Sequence, residues 1–508
     1  MKKNKDTCNY EVVNSIDDSD ETGTAIDRAR LSLWNLLRQV LISSTMWTLY
    51  FIYGLQIGAP TVIIPQLQKE ANSSTLISDD LGSWLSSMFS VGALPWTLIL
   101  PVVGYKIGRK KTYIFICFIG FIGVLIIFLS KTITHILVGE FVMGIILGGH
   151  NTISPFIITE YSSPKYRGLF MTIKSASGLW GIWVANTIGT YWHWKKIYLL
   201  MFLCNVYTLT VFAWPESPYW LAKQRRITEC AGTFRSLKGT SEDAEKELEN
   251  IINSFELNEN NVENFDTKSF NSFYNTFFKL LMTKTYYCPL LLAILICVQY
   301  HMTGKLICSI YAIQILKKIT QNDTMAYKGM LILDGITVFS TYCGCVVSRF
   351  CKRRKMLFTT SLLTITFLYI FSLYLFLVHQ TIIVENNIIS ISLLAFFSIT
   401  VCSGPMILLT SIYGELISFK HHRSSTMIYG ATNTIVMAVS LKSSLFLFKQ
   451  LTLPGLFLFF AVSSSIITFI LYLYLPETKN KSCYEIENYF KKIPDQKTKG
   501  TMIMQPDL

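Results

Sequence analysis

The sequence predicts an all-α integral membrane protein whose twelve transmembrane helices form two six-helix bundles. Its 508 residues are 51% hydrophobic and 14% aromatic, and its mean hydropathy of +0.40 is too high for an ordinary soluble enzyme. A polar segment, residues 215–284, separates two long hydrophobic blocks. The first block ends at Pro215-Glu216 and the second at Pro476-Glu477, so the chain reads as a duplicated membrane protein with a polar linker.

Twelve stretches of about 20 apolar residues, the length that crosses the hydrocarbon core of a bilayer, follow one another along the chain. The first six are predicted at 45–64, 84–103, 112–129, 133–153, 169–191 and 197–214. The last six are predicted at 287–315, 329–347, 356–378, 388–412, 427–447 and 455–475. The expected domains are an N-terminal tail (1–44), a first bundle (45–214), the linker (215–284), a second bundle (285–475) and a C-terminal tail (476–508).

Basic residues fix the predicted orientation. They cluster in the loops on the linker's side of the membrane: Lys106, Arg109, Lys110, Lys111, Lys165, Arg167, Arg349, Lys352, Arg353, Arg354, Lys355, Lys420 and Arg423. Because cytoplasmic loops carry the excess of Lys and Arg, the linker and both termini are expected in the cytoplasm. The N-terminal tail lacks the apolar core of a signal peptide, so we expect the first span to direct insertion.

Two glycosylation sequons, at Asn72 and Asn322, fall in predicted outside loops and are expected to be modified. A third, at Asn480, lies on the predicted inside and is expected to stay unmodified.

Several functional classes are disfavoured by composition and pattern. The net charge of +13 is explained by basic loops beside apolar spans, and no basic helix with interleaved aromatic residues indicates nucleic-acid binding. The 12 cysteines are scattered without metal-ligand or redox spacings. The linker contains neither a nucleophile–base set nor a phosphate-binding loop. We therefore expect no enzymatic activity, no metal and no cofactor.

Four motifs lie in order at the ends of predicted spans. They are Gly108-Arg109-Lys110 after span two, the run from Pro155 to Gly168 after span four, Pro215–Pro218 after span six and Pro476–Lys479 after span twelve. With these motifs, residues 45–490 resemble the sugar porter family of the major facilitator superfamily, particularly the insect facilitated trehalose and glucose transporters. The resemblance implies the twelve-helix major facilitator fold. It also implies facilitated diffusion of a sugar of the trehalose or hexose class across the plasma membrane.

The resemblance further implies a cytoplasmic gate built from charged residues at the span ends. Its members are Arg109, Glu160, Arg167, Glu216, Arg349, Arg353, Glu415, Arg423 and Glu477. We expect the four glutamates to pair with arginines across the interface between the bundles and so to favour the outward-facing state. The simpler interpretation is that these charges anchor loops at the lipid headgroups. Ser348 replaces the family's acid beside Arg349, so the outward-facing state is expected to be less favoured than in relatives.

The family's sugar-binding residues are only partly present. Ser175 occupies the place of a span-five Gln, Tyr300 and His301 replace two Gln of span seven, and Gln299 lies one place early. Thr410 falls near the place of a span-ten Trp. The candidate solute-binding residues are Ser175, Gln299, Tyr300, His301, Lys305, Tyr311, Thr410 and Asn433.

Ionisable residues occur inside predicted spans, where they are costly and usually functional. For Lys305, beside Tyr300 and His301, we favour a role in the cavity. For Lys174 and Lys442 we favour a structural interpretation, because a lysine can extend its amine to the interface and a Lys–Asp pair, for example with Asp334, neutralises itself.

Proton-driven relatives carry Asp in span one and Arg in span four. Here Gln56 and Glu140 hold those positions, which favours facilitated diffusion without a coupled proton.

Two other functions remain open at this stage. Lysines in the cavity suit an anionic or conjugated metabolite, and the altered gate and cavity motifs together suit a sensor or receptor that binds a sugar without transporting it. The expected partners are a small-molecule solute and membrane lipids, and the oligomeric state is left open.

Overall fold

The structure is a computed structural model, and it describes residues 21–70, 79–257, 283–416, 422–479, 481 and 489–490. The described chain is almost entirely helical. The first half contains α1 (Glu21–Glu70), α2 (Asp79–Ile107), α3 (Arg109–Phe128), α4 (Ile133–Thr152), α5 (Ser154–Tyr161), α6 (Pro164–Tyr191) and α7 (Lys195–Thr208), followed by a 3-10 turn (Leu209–Ala213).

Three short helices follow in the linker, namely α8 (Pro218–Lys223), α9 (Ile227–Lys238) and α10 (Glu242–Leu257). The second half contains α11 (Lys284–Met302), α12 (Lys305–Ile310), α13 (Ala312–Thr320), α14 (Asp323–Phe350), α15 (Arg353–His379), α16 (Asn387–Ser403), α17 (Pro405–Leu416), α18 (His422–Gln450) and α19 (Leu453–Tyr474).

Eleven helical segments of the described chain are long and apolar enough to cross a membrane. The twelfth span is α6, which is 28 residues long and therefore about 42 Å in length. Its polar residues face protein rather than lipid, since Lys174 and Asn186 are both buried. The twelve-helix membrane fold predicted from the sequence is confirmed.

Two predicted spans, seven and ten, are broken rather than continuous. Span seven, expected as one helix, breaks at Gly304, whose φ of +75° is left-handed and therefore suits glycine. A Cβ at this position would also overlap the ring of Phe460. Span ten breaks between Gly404 and Pro405, because proline has no N–H for the preceding turn. Span four ends at Thr152, and α5 starts a separate helix with Pro155 in its first turn.

The two bundles meet along two seams. In one seam α2 packs against α18, and in the other α6 packs against α14. Each seam therefore joins one helix of the first half to one helix of the second.

The linker helices form a small apolar core of their own. Leu221, Cys230, Phe234, Leu248 and Ile251 are buried together there. This unit is fixed to the inner end of α1, where Gln39 Nε2 donates to Leu237 O at 2.7 Å and Arg38 donates to Ser236 O at 3.0 Å.

Candidate functional site

The linker-side end of the first bundle holds a compact charged cluster. Arg109, the first residue of α3, pairs with Glu160 of α5 at 3.0 Å, and both side chains are largely buried. Glu216 of the linker accepts from the backbone N–H groups of Arg109 and Lys110 at 2.8 and 3.0 Å. A carboxylate there satisfies the free N–H groups at the start of α3 and complements the helix dipole. Ser217 Oγ completes the cluster by donating to Glu160 Oε2 at 2.6 Å.

The second bundle repeats this cluster. Arg353, the first residue of α15, donates to Glu415 at 3.2 Å, and Glu477 accepts from the backbone N–H groups of Arg353 and Arg354. Thr478 Oγ1 donates to Glu415 Oε2 at 2.6 Å, as Ser217 does to Glu160. The same hydrogen-bond pattern at the same place in both halves explains why the Pro-Glu motif recurs.

The expectation that these glutamates pair with arginines of the other bundle is not what the structure shows. Glu160 pairs with Arg109 and Glu415 with Arg353, each pair within one bundle. The reason is local, because each motif lies at helix ends that already converge within their own half.

The remaining gate candidates behave differently. Arg167 pairs with Glu247 of the linker at 3.1 Å, so it ties the first bundle to the linker helices. Arg349 contributes its carbonyl oxygen, which accepts from Lys479 Nζ at 2.6 Å. The side chain of Arg423 lies outside the described residues.

Aromatic side chains converge where the bundles face each other. Tyr50 of α1 stacks on Tyr53 with ring centroids 4.9 Å apart and on His150 of α4 at 4.1 Å. The ammonium of Lys174, on α6, lies 5.5 Å from the centroid of the Tyr50 ring. Tyr300 of α11, in the second bundle, packs against the same hydrophobic core as Tyr53. We call Tyr50, Tyr53, His150 and Tyr300 the aromatic cluster.

A hydrogen-bonded network crosses the interface beside this cluster. Asn433 Oδ1 lies 3.0 Å from His301 Nε2 within the second bundle. The amide of Asn433 donates to Asn151 Oδ1 of α4 at 3.4 Å, and Asn151 Nδ2 donates to Thr434 Oγ1 at 3.3 Å. Amides and imidazoles both donate and accept, which is what binding of hydroxyl groups requires.

A small cavity lies deeper in the second bundle, between α12, α14 and α16. Lys305 and Asp334 line it together. Lys305 Nζ donates to Thr337 Oγ1 and Ser398 Oγ, both at 3.1 Å. Asp334 accepts a hydrogen bond from Asn186 of α6 in the other bundle. The two charges therefore share one enclosed space.

The other seam is joined near the membrane face opposite the linker. Lys442 Nζ of α18 lies 2.6 Å from Asp80 Oδ1 and 2.8 Å from Ser83 Oγ of α2, and it stands 3.9 Å from the ring centroid of Trp84. Tyr311 OH and Ser86 Oγ are 2.9 Å apart on the same side.

Several predicted solute-binding residues lie apart from the aromatic cluster. Gln299 turns away from the interface and donates to Ser361 Oγ of α15 at 3.2 Å. Ser175 bonds to the carbonyl of Met171 in its own helix. The side chain of Thr410 lies outside the described residues.

Sequence reasoning missed Tyr50, Tyr53, His150 and Asn151, because they occupy no position that the family motif marks. The spacing of the two tyrosines by three residues in a helix was the available signal, since such residues share a face.

A buried carboxylate in the first bundle is separate from the interface. Glu140 accepts from the Gln56 amide and, at 3.2 Å, from Tyr198 OH. Neither donor is a cation, so neither of these hydrogen bonds is an ion pair.

Asn322, one of the two predicted glycosylation sites, caps α14 by accepting from the N–H groups of Thr324 and Met325. It is exposed, at the end of α14 opposite the linker. Asn72 lies outside the described residues. In the part of the chain that the structure describes, no group of three His, Cys, Asp or Glu side chains is placed to hold a metal ion.

Comparisons with known proteins all find similarity to sugar transporters. A family model described as sugar (and other) transporter matches residues 40–490. The facilitated trehalose transporter Tret1 of Bombyx mori is 23% identical over 487 residues, which cover 93% of this chain and 90% of that protein. The sugar transporter ERD6-like 9 of Arabidopsis thaliana is 29% identical over 211 residues, which cover 41% of this chain and 63% of that protein. This chain thus spans less than two thirds of the Arabidopsis relative.

Solved structures share the fold. The major facilitator superfamily proton:xylose symporter XylE bound to 6-bromo-6-deoxy-D-glucose matches with a TM-score of 0.71 at 13% identity, covering 90% of this chain and 100% of that one. A partially occluded inward-open conformation of the xylose transporter XylE from E. coli matches with a TM-score of 0.67 at 12% identity, covering 86% and 100%.

Proposed function

The chain belongs to the family of sugar and other transporters, and we propose that it carries a sugar or sugar-like solute, of the trehalose or hexose class, by facilitated diffusion across the plasma membrane. The family and the multi-pass membrane fold support sugar transport in general. The solute class, the absence of ion coupling and the choice of membrane are our proposal.

The interface between the bundles is the observation that carries this proposal. Aromatic faces from Tyr50 and Tyr53 lie beside an amide and imidazole network formed by Asn151, His301 and Asn433. A sugar ring needs both, because its C–H faces pack on aromatic rings while its hydroxyl groups donate and accept hydrogen bonds. Both kinds of group come from both bundles, so relative motion of the bundles would open the site to one side and then the other.

The surroundings of Glu140 support uniport. The carboxylate is held by Gln56 and Tyr198, and no arginine of the described residues pairs with it. Protonation of Glu140 would therefore break no ion pair, so we expect transport to follow the sugar gradient alone.

The distribution of charge supports a cytoplasmic linker and cytoplasmic termini. The clusters around Arg109 and Arg353 lie on the linker's side, as the positive-inside rule requires. The exposed Asn322 lies on the opposite side, where glycosylation takes place.

Counterflow into proteoliposomes tests the proposal. Proteoliposomes that contain the full-length protein and are preloaded with unlabelled D-glucose or trehalose should accumulate the labelled sugar transiently. The rate should be the same with and without a pH gradient. Asn433→Leu should reduce uptake at least about tenfold, because it removes an amide from the network. Gln299→Leu is the matched control, since its side chain faces Ser361 and its Oε1 has no partner among the described residues.

Two results would contradict the proposal. Absence of counterflow by any sugar would favour a sensor over a transporter. Uptake that rises with an inward proton gradient would contradict uniport.

A further inference from the structure

Lys174 lies in the aromatic cluster without a counter-charge. Its side chain belongs to a residue that is 5% exposed, and no carboxylate of the described residues lies within ion-pair distance of it. Its ammonium lies over the face of Tyr50, 5.5 Å from the ring centroid. A cation–π contact offsets only part of the cost of burying an ammonium group, so this environment favours an additional negative charge.

The other two lysines inside the spans predicted from the sequence differ from Lys174 in this respect. Lys442 pairs with Asp80 at 2.6 Å. Lys305 donates to two hydroxyl groups and shares its cavity with Asp334. Both therefore have polar partners within the protein, whereas Lys174 does not among the described residues.

The position of Lys174 fits contact with a solute. Its ammonium adjoins the stacked rings of Tyr50, Tyr53 and His150. Aromatic faces suit a sugar ring and an ammonium suits an anion. The two features meet at one point of the interface.

We propose that the transported solute is a sugar derivative with a negative charge, such as a sugar acid, and that Lys174 binds its anionic group. This inference rests on the proposed function, because it assumes that a sugar-like solute passes between the bundles. Glu140 faces away toward Tyr198, so it does not neutralise Lys174. The anionic group contributes the acceptor that the protein does not provide.

Uptake of D-glucuronate and D-glucose tests the proposal, since these sugars differ only in a carboxylate in place of a hydroxymethyl group. Counterflow is measured with full-length protein in phosphatidylcholine vesicles free of anionic lipid. Glucuronate should be preferred by the natural protein. Lys174→Met should raise its half-saturation concentration at least about tenfold and change that of glucose little, while Lys174→Arg should keep the preference. Lys318→Met, at an exposed lysine on the outer side, is the matched control.

The outcomes separate the two proposals. Glucose uptake without glucuronate uptake or competition by the natural protein overturns this inference and leaves the proposed function intact, and this comparison needs no variant. Uptake of neither of these sugars, nor of trehalose, overturns both. Equal effects of Lys174→Met on both sugars, or none on either, would show a structural lysine. If added anionic lipid lowers glucuronate uptake by the natural protein but not by Lys174→Met, the amine binds a lipid phosphate and the inference is wrong.

Discussion

Asn186 Nδ2 donates a hydrogen bond to Asp334 Oδ2 at 2.6 Å, and this contact joins the two bundles through α6 and α14. Both residues are buried. A hydrogen bond to a charged group contributes roughly 1.5–3 kcal/mol to stability. The contact lies in the outer half of its seam, so it favours the arrangement in which the outer halves of the bundles touch.

Asn186→Ala should shift the protein toward the outward-open arrangement by about tenfold or more, because it removes that contact. Cys308, which lines the cavity beside Lys305, provides a native reporter. Its labelling by an impermeant thiol reagent added outside should become faster, as measured by mass spectrometry of the labelled peptide. Thr187→Ala is the control, since the Thr187 hydroxyl bonds only within its own helix. Unchanged labelling of Cys308 in Asn186→Ala would show that the contact does not hold the seam.

Lys442→Met should act in the same direction with a smaller effect. Its partner Asp80 is 75% exposed, and solvent-exposed ion pairs are worth only about 0–1 kcal/mol. The two contacts lie in different seams, so the effects of Asn186→Ala and Lys442→Met on Cys308 labelling should combine additively in free energy. A Lys442→Met effect larger than that of Asn186→Ala would contradict the ranking by burial.

The repeated charged clusters should differ in their contribution to stability. Arg109 donates to both oxygens of Glu160, and both side chains are more buried than those of Arg353 and Glu415. Glu160→Gln should therefore lower the melting temperature in detergent more than Glu415→Gln, with a loss of about 1–3 kcal/mol. Glu242→Gln, at an exposed linker residue, serves as control. Equal losses for both clusters would show that burial is not what distinguishes them.

The membrane spans, the duplication and the family could be predicted because they depend on hydropathy and on motifs at span ends. The charged residues of the two clusters were all among the candidates, but their pairing across the interface was predicted wrongly, and their role as a gate stays a prediction. Glu160 and Arg109 lie 51 positions apart, and sequence spacing does not reveal whether such residues meet within a bundle or across the interface.

The solute-facing residues were harder to predict because a helix turns each position by about 100°. Gln299 was a candidate by residue type, but it points at Ser361, while Tyr300 and His301 next to it face the interface. The break at Gly304 also changes the direction of the chain after span seven, which a continuous span does not anticipate. Side-chain direction therefore required the structure.

Lys238 of the linker should give the unfolding of that segment a pH dependence. Burial lowers the pKa of Lys238, although Glu247 at 3.0 Å opposes the shift. Because the folded-state pKa lies below the ordinary value of about 10.4, the unfolded chain binds the proton more tightly, and stability rises as pH increases through the folded-state pKa. Lys238→Met should remove this rise without lowering stability at pH 7, since Glu247 keeps its contact with Arg167.

Cys230, buried in the core of the linker helices, reports the opening of this segment by its rate of thiol labelling. Dividing the labelling rate of the variant by that of the natural protein at the same pH cancels the pH dependence of the thiol's own reactivity. This ratio should increase from pH 7 to pH 10, because only the natural protein gains stability. Lys246→Met, at an exposed lysine of α10, should leave the ratio constant. A constant ratio for Lys238→Met would contradict the predicted linkage.

Glu140→Gln should leave transport nearly unchanged if the protein is a uniporter. The amide preserves the size of the side chain and its carbonyl oxygen accepts from Gln56 or Tyr198, although one of the two hydrogen bonds is weakened. We expect initial uptake rates within about threefold of the natural protein, which corresponds to less than about 1 kcal/mol, at every pH from about 5.5 to 8. Tyr198→Phe, which removes one donor and keeps the Glu140 carboxyl group, is the matched variant. If Glu140→Gln abolished uptake driven by a proton gradient while exchange at equilibrium persisted, Glu140 would be a proton carrier and the transporter would be a symporter.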